Sequence, residues 1–228
     1  AFVDKPLGVT SKDLEIVSRS IRVAQEKGLV VSSCHPRRFD PPFVKLKAEL
    51  PALRAKFGEL LSVRFDFSYH KSSKMDLHVG LLMDHFNHEI DLLNYLIGHQ
   101  PFKAFKLVDS VLRYDVAGVR EDGVTFHFGG SRLLDSKIYP EWLELRFERG
   151  EVRIDTKAGI LSELAHETGC RTQDAWPVTD YVTRFYDVNA DFIAAIQNKK
   201  GPYLTAEEML VNTRSGTQLT ELGTVGCE

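Results

Sequence analysis

Residues 1–33 constrain the fold of this chain more than any other stretch. Ala1-Phe2-Val3-Asp4 has the character of a strand that is ending. Lys5-Pro6-Leu7-Gly8 is a turn, because proline restricts its neighbour and glycine tolerates unusual backbone angles. Thr10 or Ser11 can cap a helix, with Asp13 in its first turn. Leu14, Val17, Ile21 and Ala24 then recur at helical spacing, and Gly28 closes the helix. Leu29-Val30-Val31 reads as a short buried strand. Strand, helix and strand in this order form the parallel crossover unit of an α/β sheet. A parallel strand needs neighbours on both sides, so this unit belongs to a larger sheet.

The remainder has a different rhythm. Pro36, Pro41 and Pro42 mark a break, and residues 43–57 are expected as one or two short helices interrupted near Pro51. Residues 60–69 alternate Val63, Phe65 and Phe67 against Arg64, Asp66 and Ser68, as a strand with one buried face does. A helix runs from about Leu81 to Ile97 and stops at Gly98 and Pro101. Strand candidates follow at 104–115, 123–128, 142–148, 151–156 and 159–165, with Glu148-Arg149-Gly150-Glu151 as a hairpin turn. Two helices complete the order. One aligns Tyr181, Phe185, Val188, Phe192 and Ile196 on a face. The other opens with a capping box, Thr205-x-x-Glu208, and runs toward Leu222. The expected fold is α+β: a largely antiparallel open sheet with helices on one face, preceded by a strand-helix-strand remnant of a Rossmann domain. Residues 1–39 would be that remnant and 40–228 a substrate and oligomerisation domain. A sheet with an uncovered face often pairs with its copy, which suggests a homodimer or tetramer.

Composition excludes several classes. Apolar residues are 43% and charged residues 27% of the chain, the balance of a globular protein. The net charge is -3 and no Lys/Arg block occurs, so neither nucleic acid nor membrane is expected as a partner. The apolar runs are far short of the ~18–20 residues that span a bilayer. Cys34, Cys170 and Cys227 have no C-x-x-C spacing, which argues against a disulfide framework and a Cys-rich zinc site. A reducing, cytoplasmic setting follows.

Met83-Asp84-His85-Phe86-Asn87-His88-Glu89-Ile90-Asp91 is the stretch richest in chemistry. At ~100° per residue, Met83, Phe86, Ile90, Leu93 and Ile97 form an apolar stripe that should pack on the sheet. Asp84, His88, Asp91 and Tyr95 form a second stripe. A carboxylate and an imidazole at i and i+4 are neighbours. The carboxylate fixes the ring's tautomer and leaves its other nitrogen to take a proton from a substrate hydroxyl. A metal-free alcohol dehydrogenase needs that pair, although the same spacing also describes a solvated helix face. His85, His88 and Asp91 offer metal-type ligands, but the H-E-x-x-H pattern is absent, and no metal is expected.

Three segments, in order, resemble the Gfo/Idh/MocA oxidoreductase family. Asp4-Lys5-Pro6-Leu7-Gly8 is similar to its E-K-P motif, with Asp in place of Glu. His35-Pro36-Arg37-Arg38-Phe39-Asp40-Pro41 is similar to its R-F-x-P segment. Asp84-x-x-x-His88-x-x-Asp91, followed by Leu92-Leu93-x-Tyr95-Leu96-x-Gly98, resembles its site helix. The resemblance implies a small hydroxy compound such as a sugar or polyol as substrate and NAD or NADP as cofactor. Lys5 would reach substrate and nicotinamide beside Pro6 and stabilise developing negative charge. His88 would be the general base, with Asp84 beside it. Arg38 would line the substrate seam or hold the two domains together. Asp91 would support the site or cap a neighbouring group. Asp174, Trp176 and Tyr181 are either pocket residues or packing under a loop.

Dinucleotide binding requires a Gly-rich turn that opens a helix and presents N–H groups to the pyrophosphate. No G-x-G-x-x-G occurs, and Gly129-Gly130 is an isolated pair. Two readings stand: a C-terminal portion of a longer dehydrogenase, inactive alone, or a short protein that has lost cofactor binding and serves ligand binding or dimerisation.

Overall fold

The computed structural model describes residues 1–68, 81–109, 113–131, 141–198 and 200–223. The N-terminal unit is β1 (Phe2–Val3), α1 (Ser11–Glu26) and β2 (Ser32–Ser33). β1 and β2 pair in parallel, Phe2 opposite Ser32 and Val3 opposite Ser33. Thr10 caps α1 by accepting from the Asp13 N–H at 3.2 Å, and the Asp13 carboxylate accepts in return from the Thr10 N–H at 3.0 Å. Gly28 ends the helix at φ 64°. The paired strand is therefore residues 32–33 and not 29–31. Leu29 is exposed, and Ser32 and Ser33 are buried against the segment that leads into the last helix of the chain, where the Ser32 hydroxyl donates to the Leu204 carbonyl at 3.1 Å.

A short 3-10 turn, Pro36–Phe39, leads into α2 (Pro41–Phe57). This helix is continuous across Pro51, contrary to the interruption expected there. Pro51 lies on the exposed side, and Leu46, Leu50, Leu53 and Phe57 bury one face along both halves. Burial of four large side chains contributes more than the lost hydrogen bond and ring clash cost.

The main sheet comprises β3 (Leu60–Phe67), β4 (Phe102–Asp109), β5 (Arg113–Arg120), β6 (Thr125–Ser131), β7 (Glu141–Phe147), β8 (Gly150–Asp155), β9 (Ile160–Ala165) and β10 (Arg171–Ala175). Its order is β10-β9-β8-β7-β3-β6-β5-β4, and only β3 and β6 are parallel. The candidate at 104–115 is thus two strands, β4 and the start of β5. β10 was not foreseen, because Arg-Thr-Gln-Asp-Ala has no apolar alternation and is exposed throughout. One face of the sheet carries Val63, Phe65, Phe67, Val116, Phe126, Phe128, Leu143, Leu145, Val152 and Ile154, all buried. Against it lie α2 and α3 (Leu81–Ile97), the latter through Phe86, Ile90 and Leu93. The other face is charged: Trp142 sits between the guanidinium groups of Arg64 and Arg153, at 5.1 and 4.2 Å from its ring centre.

The chain closes with α4 (Tyr181–Asn198) and α5 (Ala206–Gly223). Thr205 and Glu208 form the expected capping box on α5, at 2.8 and 3.2 Å. On α4 the expected apolar face is buried only in part: Val188 is buried and Phe185 and Phe192 are half-buried. Arg184, Val188 and Ala195 face inward, whereas Tyr181, Tyr186 and Ile196 are exposed. Among the described residues no helix is long and apolar enough to cross a membrane.

Pro51→Ala should give the Lys47 carbonyl a donor and relieve the ring clash. The expected gain is about 1–3 kcal/mol in urea unfolding. An unchanged or lower midpoint would mean that α2 is bent to fit its proline.

Candidate active site

α3 presents His88 to the N-terminal unit. The His88 and His35 rings are 5.9 Å apart between centres, and the His85 ring is 6.4 Å from His88 on another side. His35 is buried; its Nδ1 lies 3.0 Å from the Ser33 hydroxyl and its N–H donates to the Tyr203 hydroxyl at 2.8 Å. Tyr203 donates in turn to the Ser33 carbonyl. Burial pushes His88 well below the ordinary histidine range, and the neighbouring cations Lys5 and Arg37 push it further. The imidazole is therefore neutral at pH 7 and able to accept a proton. Its Nδ1 is buried with no hydrogen-bond partner among the described residues. Lys5 lies within electrostatic reach of His88. The Asp84 side chain lies outside the described residues, and so does Met83.

Arg38 and Asp91 meet, but in the interior. Arg38 Nε and Nη2 donate to both Asp91 oxygens at 2.8–3.1 Å. Arg38 Nη1 donates to the Tyr203 carbonyl at 3.2 Å and to Glu208 at 2.9 Å. Asn212 donates to Asp91 at 2.7 Å. With 6% and 1% exposure, the two residues have spent their polar atoms on protein partners. This geometry joins the 3-10 turn, α3 and α5, and leaves neither side chain facing open space. Asp91 is likewise engaged with cation and amide donors, not aligned with His85 and His88. Among the described residues no group of three potential ligands is placed to hold a metal.

The neighbouring residues of the turn act similarly. Arg37 pairs with Glu141 at 2.6 Å and lies 4.1 Å from the Phe67 ring centre. Asp40 accepts from Arg184 at 2.6 Å and from the Asp180 N–H at 2.9 Å. Trp176 packs in the main core and donates to the Pro42 carbonyl at 3.3 Å, whereas Asp174 and Tyr181 are exposed.

Sequence reasoning passed over Glu89. It is wholly buried, and Tyr114 donates to it at 2.7 Å. Gly130 makes room for this pair: a Cβ there would stand 2.5 Å from the Tyr114 ring. Burial pushes Glu89 up to about 8, with the tyrosine bond partly opposing. A carboxylic acid on the apolar side of a site helix is the available signal, and the i, i+4 stripes conceal it.

Among the described residues α1 offers no open dinucleotide cradle. α1 follows a parallel strand, but its N-terminus is filled by the Asp13 carboxylate, which accepts from Val9 and Thr10 at 3.1 and 3.0 Å. A second anion there would meet like charge.

No protein-family model and no curated protein matches the chain. Solved structures do match in fold. A putative NADPH-dependent oxidoreductase from Desulfitobacterium hafniense aligns at TM-score 0.75 and 15% identity, over 96% of this chain and 69% of that one. An NAD-binding oxidoreductase from Klebsiella pneumoniae aligns at 0.76 and 14%, over 98% and 72%. UDP-N-acetylglucosamine 3-dehydrogenase from Acidithiobacillus ferrooxidans aligns at 0.74 and 16%, over 96% and 69%. The chain has the fold of oxidoreductases of the Gfo/Idh/MocA type.

Two outcomes check the site. Asp91→Ala should cost about 3–5 kcal/mol in urea unfolding, because it leaves Arg38 buried against a lost partner. A loss below 1 kcal/mol would show the tie to be dispensable, by the same scale. Glu89 binds its proton more tightly folded than unfolded, so the stability it contributes is complete below about pH 4.5 and drains away up to about pH 8. Glu89→Gln removes that dependence. Relative to wild type it should gain about 3 kcal/mol between pH 5 and pH 8. Parallel pH curves for the two proteins would place an ionised Glu89 in the fold.

Proposed function

We propose that the chain is the substrate-binding, C-terminal portion of an NAD(P)-dependent oxidoreductase that oxidises a sugar, polyol or related hydroxy compound. The observation that carries the reading is a neutral, half-buried His88 within electrostatic reach of the Lys5 cation, on a fold shared with dehydrogenases. A nicotinamide held by a further segment would supply the hydride acceptor. This chain's residues hold and deprotonate the substrate. Lys5 donates to the oxygen of the reacting carbon and stabilises the charge that develops there. His88 takes the hydroxyl proton, so that loss of proton and hydride leaves a carbonyl. Asp84 would orient His88, and Pro6 would fix the turn that carries Lys5. Arg38 and Asp91 act from behind, by fixing how α3 meets the N-terminal unit. The 228-residue chain alone is inactive on this reading, and the sparse cysteines support a cytoplasmic setting. A homodimer or tetramer through the charged sheet face belongs to the same proposal.

The gene product at its native length, assayed with polyols and NAD or NADP, tests it. His88→Ala should stay folded by circular dichroism and lose about 10²–10⁴-fold in turnover. Wild-type turnover should hold from neutral pH down below the ordinary histidine range, since the base protonates only there. Retained turnover in His88→Ala removes this residue from the mechanism.

A further inference from the structure

One oxygen gathers the polar groups where the 3-10 turn, β7 and α4 meet. Glu141 Oε1 accepts from Arg37 Nη1 at 2.6 Å, from the Thr156 hydroxyl at 3.2 Å and from the Thr179 hydroxyl at 3.3 Å. Arg184 enters from α4 and donates at 2.6 Å to Asp40, which shares a turn with Arg37. Lys157 follows Thr156 in the turn between β8 and β9, where its N–H donates to Asp155 at 3.0 Å. Three cations, Arg37, Arg184 and Lys157, are thus drawn to one place. Partial burial, and then the Arg37 and Arg184 guanidinium groups, push the Lys157 ammonium down to about 8. Burial and Arg37 push Arg184 down as well, against the pull of Asp40. Like charges held together oppose folding, and a cluster of this kind marks a place where an anion is bound.

The charges do not cancel within the cluster. Its buried carboxylates are Asp40 and Glu141, which leaves one positive charge in excess among the described residues. Asp180 is exposed and accepts from the Val182 and Thr183 N–H groups at the start of α4. Arg184 Nε is buried with no hydrogen-bond partner among the described residues. Lys157 is exposed, so the cluster is reached from solvent. Arg37 joins it to the candidate active site, since its guanidinium acts on both His88 and Glu89. Of the α3 carboxyl groups described, Glu89 is neutral and Asp91 is engaged with Arg38 and Asn212.

We propose that the substrate is a hydroxy acid whose carboxylate is held by Lys157, Arg184 and Arg37, with its hydroxyl-bearing carbon toward His88. The proposal rests on the dehydrogenase reading for the reaction and on the cation cluster for the charge. One excess positive charge matches a carboxylate; a phosphate brings nearly two negative charges at pH 7. Lys157 acts here as a binding residue, and the reacting atoms remain with Lys5 and His88.

Matched acids and polyols test it: D-gluconate with D-glucitol, and D-xylonate with xylitol. Each pair shares a hydroxylated chain and differs by a carboxylate against a hydroxymethyl group. In titration calorimetry of the gene product at its native length, at fixed ionic strength, an acid should bind at least about tenfold more tightly than its polyol. Lys157→Gln should weaken the acid about tenfold or more and leave the polyol unchanged. Arg54→Gln, which removes an exposed charge of α2, should change neither. In turnover the Lys157→Gln loss should appear in KM for the acid and not in kcat. Equal affinity for acid and polyol in both pairs overturns the proposal. So does an acid affinity that survives Lys157→Gln, or one that falls equally in Arg54→Gln. A Lys157-dependent acid site in a protein without NAD(P)-dependent turnover keeps the carboxylate site and removes the dehydrogenase. Turnover of polyols with no preference for the acids does the reverse.

Discussion

The segment Arg37-Arg38-Phe39-Asp40 is the point through which the rest of the structure is held. Four consecutive side chains leave one turn in different directions. Arg37 reaches β7 through Glu141, Arg38 reaches α3 and α5 through Asp91 and Glu208, and Asp40 reaches α4 through Arg184. Phe39 packs edge-on against Tyr203, with ring centres 4.9 Å apart. Buried ion pairs add little net stability, since desolvation offsets their attraction, but each is costly to break singly. Their effect is on geometry. A turn whose charges all have fixed partners admits one arrangement of the sheet, α3 and the N-terminal unit. That arrangement sets the distance between Lys5 and His88.

The same economy of space governs the protonation of the site. Desolvation disfavours whichever form is charged, so it lowers His88 and raises Glu89, adjacent residues on one helix. Both are then neutral at pH 7. A neutral acid on the sheet side adds no negative charge near His88, so the histidine is governed by burial and by Lys5 and Arg37. The consequence is a base that stays unprotonated while the surrounding cations remain available to an oxygen that gains charge. Gly130, which leaves space for Tyr114, is part of this arrangement although it lies on a strand far from α3 in sequence.

The legible and illegible parts of the sequence divide by cause. Local chemistry was legible: the Thr10 and Thr205 caps and the stop at Gly28 depend on residues within one turn of each other. So did the stripe of Phe86, Ile90 and Leu93, because one helix face meets one sheet. Long-range partners were not. Nothing local assigns Arg38 to Asp91, 53 positions away, or turns that pair from pocket lining into an interior tie. Pro51 misled because a breaker's local cost was weighed without the burial on either side of it. β10 escaped because an edge strand of polar residues is held by its ladder to β9 and not by a buried face.

α4 is the instructive case, since its expected face is buried only in part: Val188 is buried, Phe185 and Phe192 are half-buried, and Tyr181 and Ile196 are exposed. Two stripes compete for the interior of that helix. One offers Tyr186 and Ile193; the other offers Arg184, Val188 and Ala195. Hydrophobicity alone favours burying the first. Arg184 reverses the choice, because Asp40 is already buried at the turn and an unpaired buried carboxylate costs more than an exposed isoleucine. The charge pair therefore sets the rotation of the helix, and the apolar stripe faces out as a result. A periodicity reading identifies the faces of a helix; which face turns inward depends on where its charges find partners.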